Sequence, residues 1–302
     1  TEGFTDMMDL YLDSKQKERL DMPETTGEVA FCSLAALNVA AISDEEYFEV
    51  AERALRTVNQ MIEKAPAMTP ALKEMLLSRR SVGVGIIGLA SKLYMNGLDY
   101  DGSEESLEMV AHTSELHMYA LYKASQKMSE ETGICVEGID LDWMPIDTKI
   151  NKRLPYLDWE LLRGIPRMHS VLTAYMPTES SAPFTGADNG PYPARNRVNY
   201  KKARRGKVQF ISKYFDDTKL SAYDVNMIPY YAEMSPWCDQ GISADYYTNF
   251  TKLPNRKIQM EELIKWFVRQ SKAGIKSAYY QNFLDTKGEV EMEETCADGC
   301  KL

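Results

Sequence analysis

Two adjacent phenols, Tyr279 and Tyr280, close the run Gly274-Ile275-Lys276-Ser277-Ala278-Tyr279-Tyr280-Gln281-Asn282. Phenol is an apolar ring with one exchangeable proton and an ordinary pKa of about 10. Two stacked phenols can therefore pass an electron and a proton between them without a metal. The run is β-leaning, and regular strand alternation puts neighbouring side chains on opposite faces. The rings share a pocket only if the backbone bends there. The competing reading packs one ring in the core and leaves the other at an interface, each hydroxyl finding its own partner.

A second candidate is the loop Pro177-Thr178-Glu179-Ser180-Ser181-Ala182, directly after the strand-like Val171-Leu172-Thr173-Ala174-Tyr175-Met176. Three hydroxyls and backbone N–H groups in a tight loop after a strand suit a phosphate. The alternative is an ordinary helix N-cap at Thr178 or Ser180. The five cysteines are an odd number at wide spacings, which argues against a disulfide framework and for a reducing cytoplasm. Cys32 falls on a strand, and Cys135, in a turn-like stretch, is expected to be a small buried or half-buried thiol. Cys296 and Cys300 sit in an acidic, glycine-containing terminus expected to be mobile. Zinc at that pair would need further ligands, and no second Cys or His pair accompanies it. His112 and His117 are five apart, not the i, i+4 spacing of two ligands on one helical face, so both read as packing or surface histidines. Gly83, Gly85 and Gly88 fit Gly-x-Gly-x-x-Gly, but no acidic residue ends a following strand, so close backbone packing is the preferred explanation.

The elements that must position these groups read as α/β. Strands are expected near 28–34, 81–89, 171–176, 240–244 and 275–280, separated by helices. Ala30, Cys32 and Leu34 would share one face of a buried first strand. Helices are expected over 5–20, over 43–64 with Ser43 and Glu46 as a capping box, over 103–132 and over 159–163. The basic run from Arg195 to Lys207 reads as a solvated loop or one serving a local phosphate. At 302 residues the chain holds one large domain or two ordinary ones, and its formal charge of −10 argues against general affinity for nucleic acid or anionic membrane. No apolar run approaches the roughly 18 to 20 residues that span a bilayer. The N-terminus does not read as a signal peptide.

Four motifs in order resemble the large, catalytic subunit of class I ribonucleotide reductase. Gly27-Glu28-Val29-Ala30-Phe31-Cys32-Ser33-Leu34 is similar to the strand carrying one of its two reducing cysteines. Met176-Pro177-Thr178-Glu179-Ser180-Ser181 is similar to the loop that binds the substrate diphosphate, and Gly186-Ala187-Asp188-Asn189-Gly190 to the run after it. Tyr279-Tyr280 resembles the family's tyrosine pair, and Cys296 with Cys300 its tail thiols. Upstream of the loop, Arg163–His169 is shorter than the family's connection. The resemblance implies substrate contacts from Thr178, Glu179, Ser180 and Ser181, and reduction by Cys32, recharged through Cys296 and Cys300 by thioredoxin or glutaredoxin. It also implies a radical path through Tyr280 and Tyr279.

The implied fold is part of a ten-stranded α/β barrel, the second half-barrel plus flanking helices. The divisions are an extension over 1–26, the barrel part over 27–285 and a mobile redox tail over 286–302. The family's Cys-x-Glu motif, its second reducing cysteine and its allosteric nucleotide domain are not found here. The expectation is therefore a C-terminal half split before Cys32, as in certain phage-encoded reductases, or a truncated chain. Such a chain would bind no cofactor itself. It would need the N-terminal half, which carries the allosteric nucleotides, and a small subunit holding a di-iron tyrosyl radical, and alone it would not turn over ribonucleoside diphosphates. Two rivals stand beside this reading: a non-catalytic nucleotide-phosphate-binding or regulatory subunit, and a scaffold whose tail cysteines bind metal.

Overall fold

The computed structural model describes residues 31–65, 70–148, 153–203 and 206–285. Their order is β1 (Ser33–Asn38), α1 (Tyr47–Lys64), α2 (Pro70–Arg79), β2 (Val82–Ile87), α3 (Leu89–Met95) and α4 (Glu104–Thr132). There follow α5 (Ser181–Thr185), β3 (Val198–Ala203), β4 (Gly206–Ile211), α6 (Ile228–Met234), β5 (Ala244–Asn249), α7 (Met260–Lys272) and β6 (Ala278–Leu284). The expected helix over 5–20 and the tail with Cys296 and Cys300 lie outside the described residues.

Five parallel segments lie side by side in chain order. β1 pairs with β2 from Ser33 opposite Val82 to Asn38 opposite Ile87. The Val84–Thr173 bridge joins β2 to the 171–176 segment, and the Tyr175–Ile242 bridge joins that segment to the stretch entering β5. β5 and β6 complete the series in parallel. Among the described residues this surface does not close into a barrel. The central segment makes only single bridges because its amides are partly used elsewhere. Leu172 N and Thr173 N donate to Asp239 Oδ2 at 2.7 and 3.2 Å, and Tyr122 donates to Asp239 Oδ1 at 3.0 Å.

Directly opposed residues in a sheet share a face and alternate along it. Val82, Val84 and Ile86 are fully buried beneath α1 and α4. His117 on α4 bridges the layers: Nε2 donates to the Val84 carbonyl at 2.9 Å, so Nδ1 accepts from the Tyr47 hydroxyl of α1 at 2.8 Å. Burial lowers its pKa to about 4, so it is a neutral packing histidine. α4 starts after Ser103 and stops at Gly133, whose φ of 71° is the left-handed conformation that ends helices. Ser43 Oγ accepts from Glu46 N at 3.3 Å and donates to the Glu46 carboxylate at 3.0 Å ahead of α1.

Several expectations need correction. Among the described residues the first strand is Ser33–Asn38, running four residues past the expected end at 34, and it is not enclosed: Leu34 is 59% exposed and Phe31 42%. It is the outermost of the five segments, and among the described residues no strand pairs with its far side. The basic run, expected as a loop, is in its described part largely strand: Val198–Ala203 and Gly206–Ile211 pair antiparallel as β3 and β4, with Val198 opposite Ile211. Residues 159–162 form a single 3-10 turn capped by Asp158. The Cys135 thiol is exposed. The last two strands run further than expected, to Asn249 and Leu284.

Candidate active site

The glycines of β2 define a shallow interior. A Cβ on Gly83 would lie 2.8 Å from Leu34, 3.0 Å from Ala174 and 3.2 Å from Cys32 Sγ. One on Gly85 would lie 2.5 Å from Met176 Sδ and 2.8 Å from the Ala174 carbonyl. Cys32, Leu34, Ala174 and Met176 therefore lie over the glycines, on the face opposite α1 and α4. The expected close backbone approach is present at Gly85, against the Ala174 carbonyl, while at Gly83 the motif clears space for side chains from neighbouring strands.

Cys32 immediately precedes β1 and is partly buried. Burial raises its pKa, opposed by a hydrogen bond with the Gln240 side chain. Gln240 is fixed by donating from Nε2 to the Val82 carbonyl at 2.9 Å. Cys238 is fully buried behind the sheet, and burial pushes its thiol to about 12.

The hydroxyl-rich loop leaves the 171–176 segment at the same face. Thr178 is 6% exposed, and its polar groups point inward: N and Oγ1 donate to Asn189 Oδ1 at 2.6 and 3.2 Å, while Gly190 N donates to Oγ1 at 2.8 Å. Ser180 and Ser181 are exposed and Glu179 is half-buried. The run behind the loop is anchored through buried Asp188, which accepts hydrogen bonds from Ser91 at 2.7 Å and from Ser212. Burial raises the Asp188 pKa, and those two hydroxyls oppose the rise.

Tyr279 and Tyr280 meet the condition set by their adjacency. Ala244 stands opposite Ala278 but Tyr246 opposite Gln281, so β6 carries one residue more than β5 across this step. The extra residue forms a bulge that re-aims the side chains. The rings lie 4.1 Å apart between centroids at 48°, and the Tyr279 hydroxyl donates to Tyr280 at 3.3 Å. They are 50% and 40% exposed.

Register places the phenols and the loop on one side. Tyr175 and Ile242 share the covered face, so Ser243 and Asp245 take the other. The Tyr280 amide donates to Asp245 Oδ1 at 3.2 Å. Buried Tyr192 donates to the Ser243 carbonyl at 2.6 Å. Its pKa is raised first by burial and then by neighbours led by Asp245. Cys32, the loop and the phenols thus border one open face. Asn189, Gln240 and Asp245 were not singled out from the sequence. Asn189 lay within the quoted Gly186–Gly190 run, whereas nothing in the local pattern marks the other two.

Among the described residues there is no group of three or more His, Cys, Asp and Glu side chains arranged to hold a metal ion, and no helix long and apolar enough to cross a membrane.

The family described as ribonucleotide reductase, barrel domain, matches residues 13–227. The chain is similar to the ribonucleoside-diphosphate reductase subunit alpha of Buchnera aphidicola subsp. Schizaphis graminum, 32% identical over 92% of this chain and 39% of that protein. That of Haemophilus influenzae is 31% identical over 92% and 39%, and that of Enterobacteria phage T4 28% identical over 93% and 40%. The chain thus spans about two fifths of the length of these relatives. With the glycine-cleared face, the thiol, the loop and the paired phenols, this match shows that the chain belongs to the ribonucleotide reductase barrel-domain family.

Proposed function

We propose that the chain is the C-terminal part of a class I ribonucleoside-diphosphate reductase large subunit and works with a separate N-terminal half and a radical-generating small subunit. The observation that carries this reading is the bulge that sets two adjacent phenols in hydrogen-bond contact on an open face. The five parallel segments form one half of a ten-stranded barrel, and the exposed edge at Phe31 and Leu34 is where the other half adds its strands.

The small subunit's di-iron tyrosyl centre supplies the oxidising equivalent. Within this chain, Tyr279 gives a hydrogen atom to the oxidised Tyr280, and the hydrogen bond from the Tyr279 hydroxyl has the polarity for that transfer. Tyr279 then recovers a hydrogen atom from a cysteine of the N-terminal half, which starts the reaction on the ribose. The diphosphate rests on the loop from Thr178 to Ser181. When the 2′-hydroxyl leaves as water, Cys32 and a second thiol of the N-terminal half give up two electrons and two protons and close a disulfide. Cys296 and Cys300 reduce that disulfide by exchange, and thioredoxin or glutaredoxin reduces them in turn.

Reconstitution tests the reading. The chain alone forms no deoxynucleotide, and adding the N-terminal half and the small subunit restores it. Turnover by the chain alone, or full activity with Tyr279→Phe, would refute it. The second outcome would favour a non-catalytic phosphate-binding subunit.

A further inference from the structure

We propose that Asn189 is the positioning residue of the phosphate loop, its amide oxygen setting the shape in which Ser180 and Ser181 meet a diphosphate. This rests on the diphosphate reading of residues 178–181.

The hydroxyl that would contact an anion most naturally, that of Thr178, is committed inward. Asn189 Oδ1 accepts both Thr178 donors, the amide at 2.6 Å and the hydroxyl at 3.2 Å. Gly190 N closes the ring by donating to Thr178 Oγ1 at 2.8 Å. One side-chain oxygen therefore fixes the backbone and the χ1 of the residue that opens the loop. Downstream, the Thr178 carbonyl accepts from Ala182 N at 2.8 Å and from Ser181 Oγ at 3.4 Å, so the orientation of that peptide carries into Ser181. Asn189 is itself immobilised. Asp188 is held by Ser91 and Ser212, and its carbonyl accepts from Gly88 N at 2.9 Å. Gly190 stands at φ 50°, where an added Cβ would come within 3.0 Å of the Met176 carbonyl. The brace runs from the β3–β4 pair and β2 through Asn189 into the loop, and no bond in it requires Asn189 to touch the ligand.

The chemistry separates two substitutions. Asn189→Ala removes the only side-chain acceptor described for the Thr178 donors. Asn189→Asp keeps an oxygen for both donors and so keeps the loop's shape, but places a negative charge beneath a site for an anion. Repulsion of that kind is screened by salt, over about 10 Å at 0.1 M and about 3 Å at 1 M.

The test titrates inorganic pyrophosphate into the chain, read by the Ser180 and Ser181 amide signals, and ADP into its assembly with the N-terminal half. We expect Asn189→Ala to weaken both ligands at least tenfold at every salt concentration. Asn189→Asp is expected to weaken them comparably at low salt and to return toward the unsubstituted protein near 1 M, with its melting temperature unchanged. Equal binding by all three proteins overturns the role of Asn189 while leaving the diphosphate reading intact. Parallel, salt-independent losses in both variants also overturn it, because they mean general disruption. Failure of the unsubstituted protein to bind either ligand overturns the diphosphate reading itself, and this inference with it.

Discussion

Asp245 Oδ1 accepts the amide hydrogen of Tyr280 at 3.2 Å, at the step where β6 carries one residue more than β5. A bulge leaves a backbone group without its ladder partner, and here a side chain from the facing strand takes that role. Buried and 4% exposed, Asp245 holds the irregularity that brings the two phenols together.

Asp245→Asn keeps an acceptor and should leave the ring contact in place. Asp245→Ala strands the amide and should destabilise the fold by about 1–3 kcal/mol, the cost of an unsatisfied buried group. Denaturant unfolding gives the stability difference, and NMR cross-peaks between the Tyr279 and Tyr280 rings should persist in the first variant and weaken in the second.

Tyr279→Phe removes one hydroxyl and the 3.3 Å bond to Tyr280. Both rings are about half exposed, so stability should change by no more than about 0.5 kcal/mol. Turnover of the reconstituted enzyme should fall to background, because phenylalanine has no O–H hydrogen atom to transfer. Wild-type melting with lost turnover is the expected pair of results.

Much of this site was legible in the residues because its chemistry is concentrated in short runs. The five parallel segments appear near the places where β-type runs alternate with helical ones. Adjacency of two tyrosines in a strand already required a bend, and the bulge supplies it. Where the first strand ends was not legible: alternation through Ala30, Cys32 and Leu34 continues into Ala36 without a break, so pattern alone cannot locate its end. The antiparallel pairing of β3 with β4 was hidden by its lysines, which read as a solvated loop. Asn189, Gln240 and Asp245 act through contacts across 11 to more than 200 residues, as Gln240 does with Cys32. Only the folded register brings such pairs together.

The thiols should differ in reactivity. Of the three described thiols, Cys135 is exposed and should react first with iodoacetamide, whereas Cys238 is buried with its pKa pushed to about 12 and should stay inert in the native state. Cys32 has a pKa raised by burial and partly restored by Gln240, and the thiolate is the reacting form. Its alkylation should therefore accelerate at a higher pH than that of an ordinary thiol, and Gln240→Leu should move the acceleration higher still. Mass-spectrometric alkylation rates across pH measure both effects. An unchanged Cys32 profile in Gln240→Leu would count against the hydrogen bond.

Gly83→Val should destabilise the protein by about 1–3 kcal/mol, the usual cost of overpacking. Its first added carbon would already press against Leu34, Ala174 and Cys32 at 2.8 to 3.2 Å. Leu34 is mostly exposed and has room to move, so the strain should relax toward β1 and disturb Cys32 more than the core beneath Val82 and Val84. A lower melting temperature with faster Cys32 alkylation is the expected combination.

Acid should unfold the chain through two histidines. His117 and His169 are held neutral, with pKa values lowered by burial to about 4 and about 3. The nearby Arg80 guanidinium adds to the effect on His169. As pH falls through the ordinary histidine value of about 6.5, the unfolded chain takes up protons that the folded chain refuses. Between there and pH 4 the unfolded state binds more protons, so stability falls as pH falls. Above about 6.5 both states are neutral at these sites and the contribution is constant. Each histidine should remove on the order of a few kcal/mol across that window, at about 1.4 kcal/mol per unit of pKa difference. His117→Gln keeps a donor for the Val84 carbonyl and an acceptor for Tyr47, so it should cost some stability at pH 7 yet flatten the slope from pH 6.5 to 4. Urea midpoints at half-unit pH intervals measure this, and an unchanged slope would mean that His117 already binds a proton in the folded state.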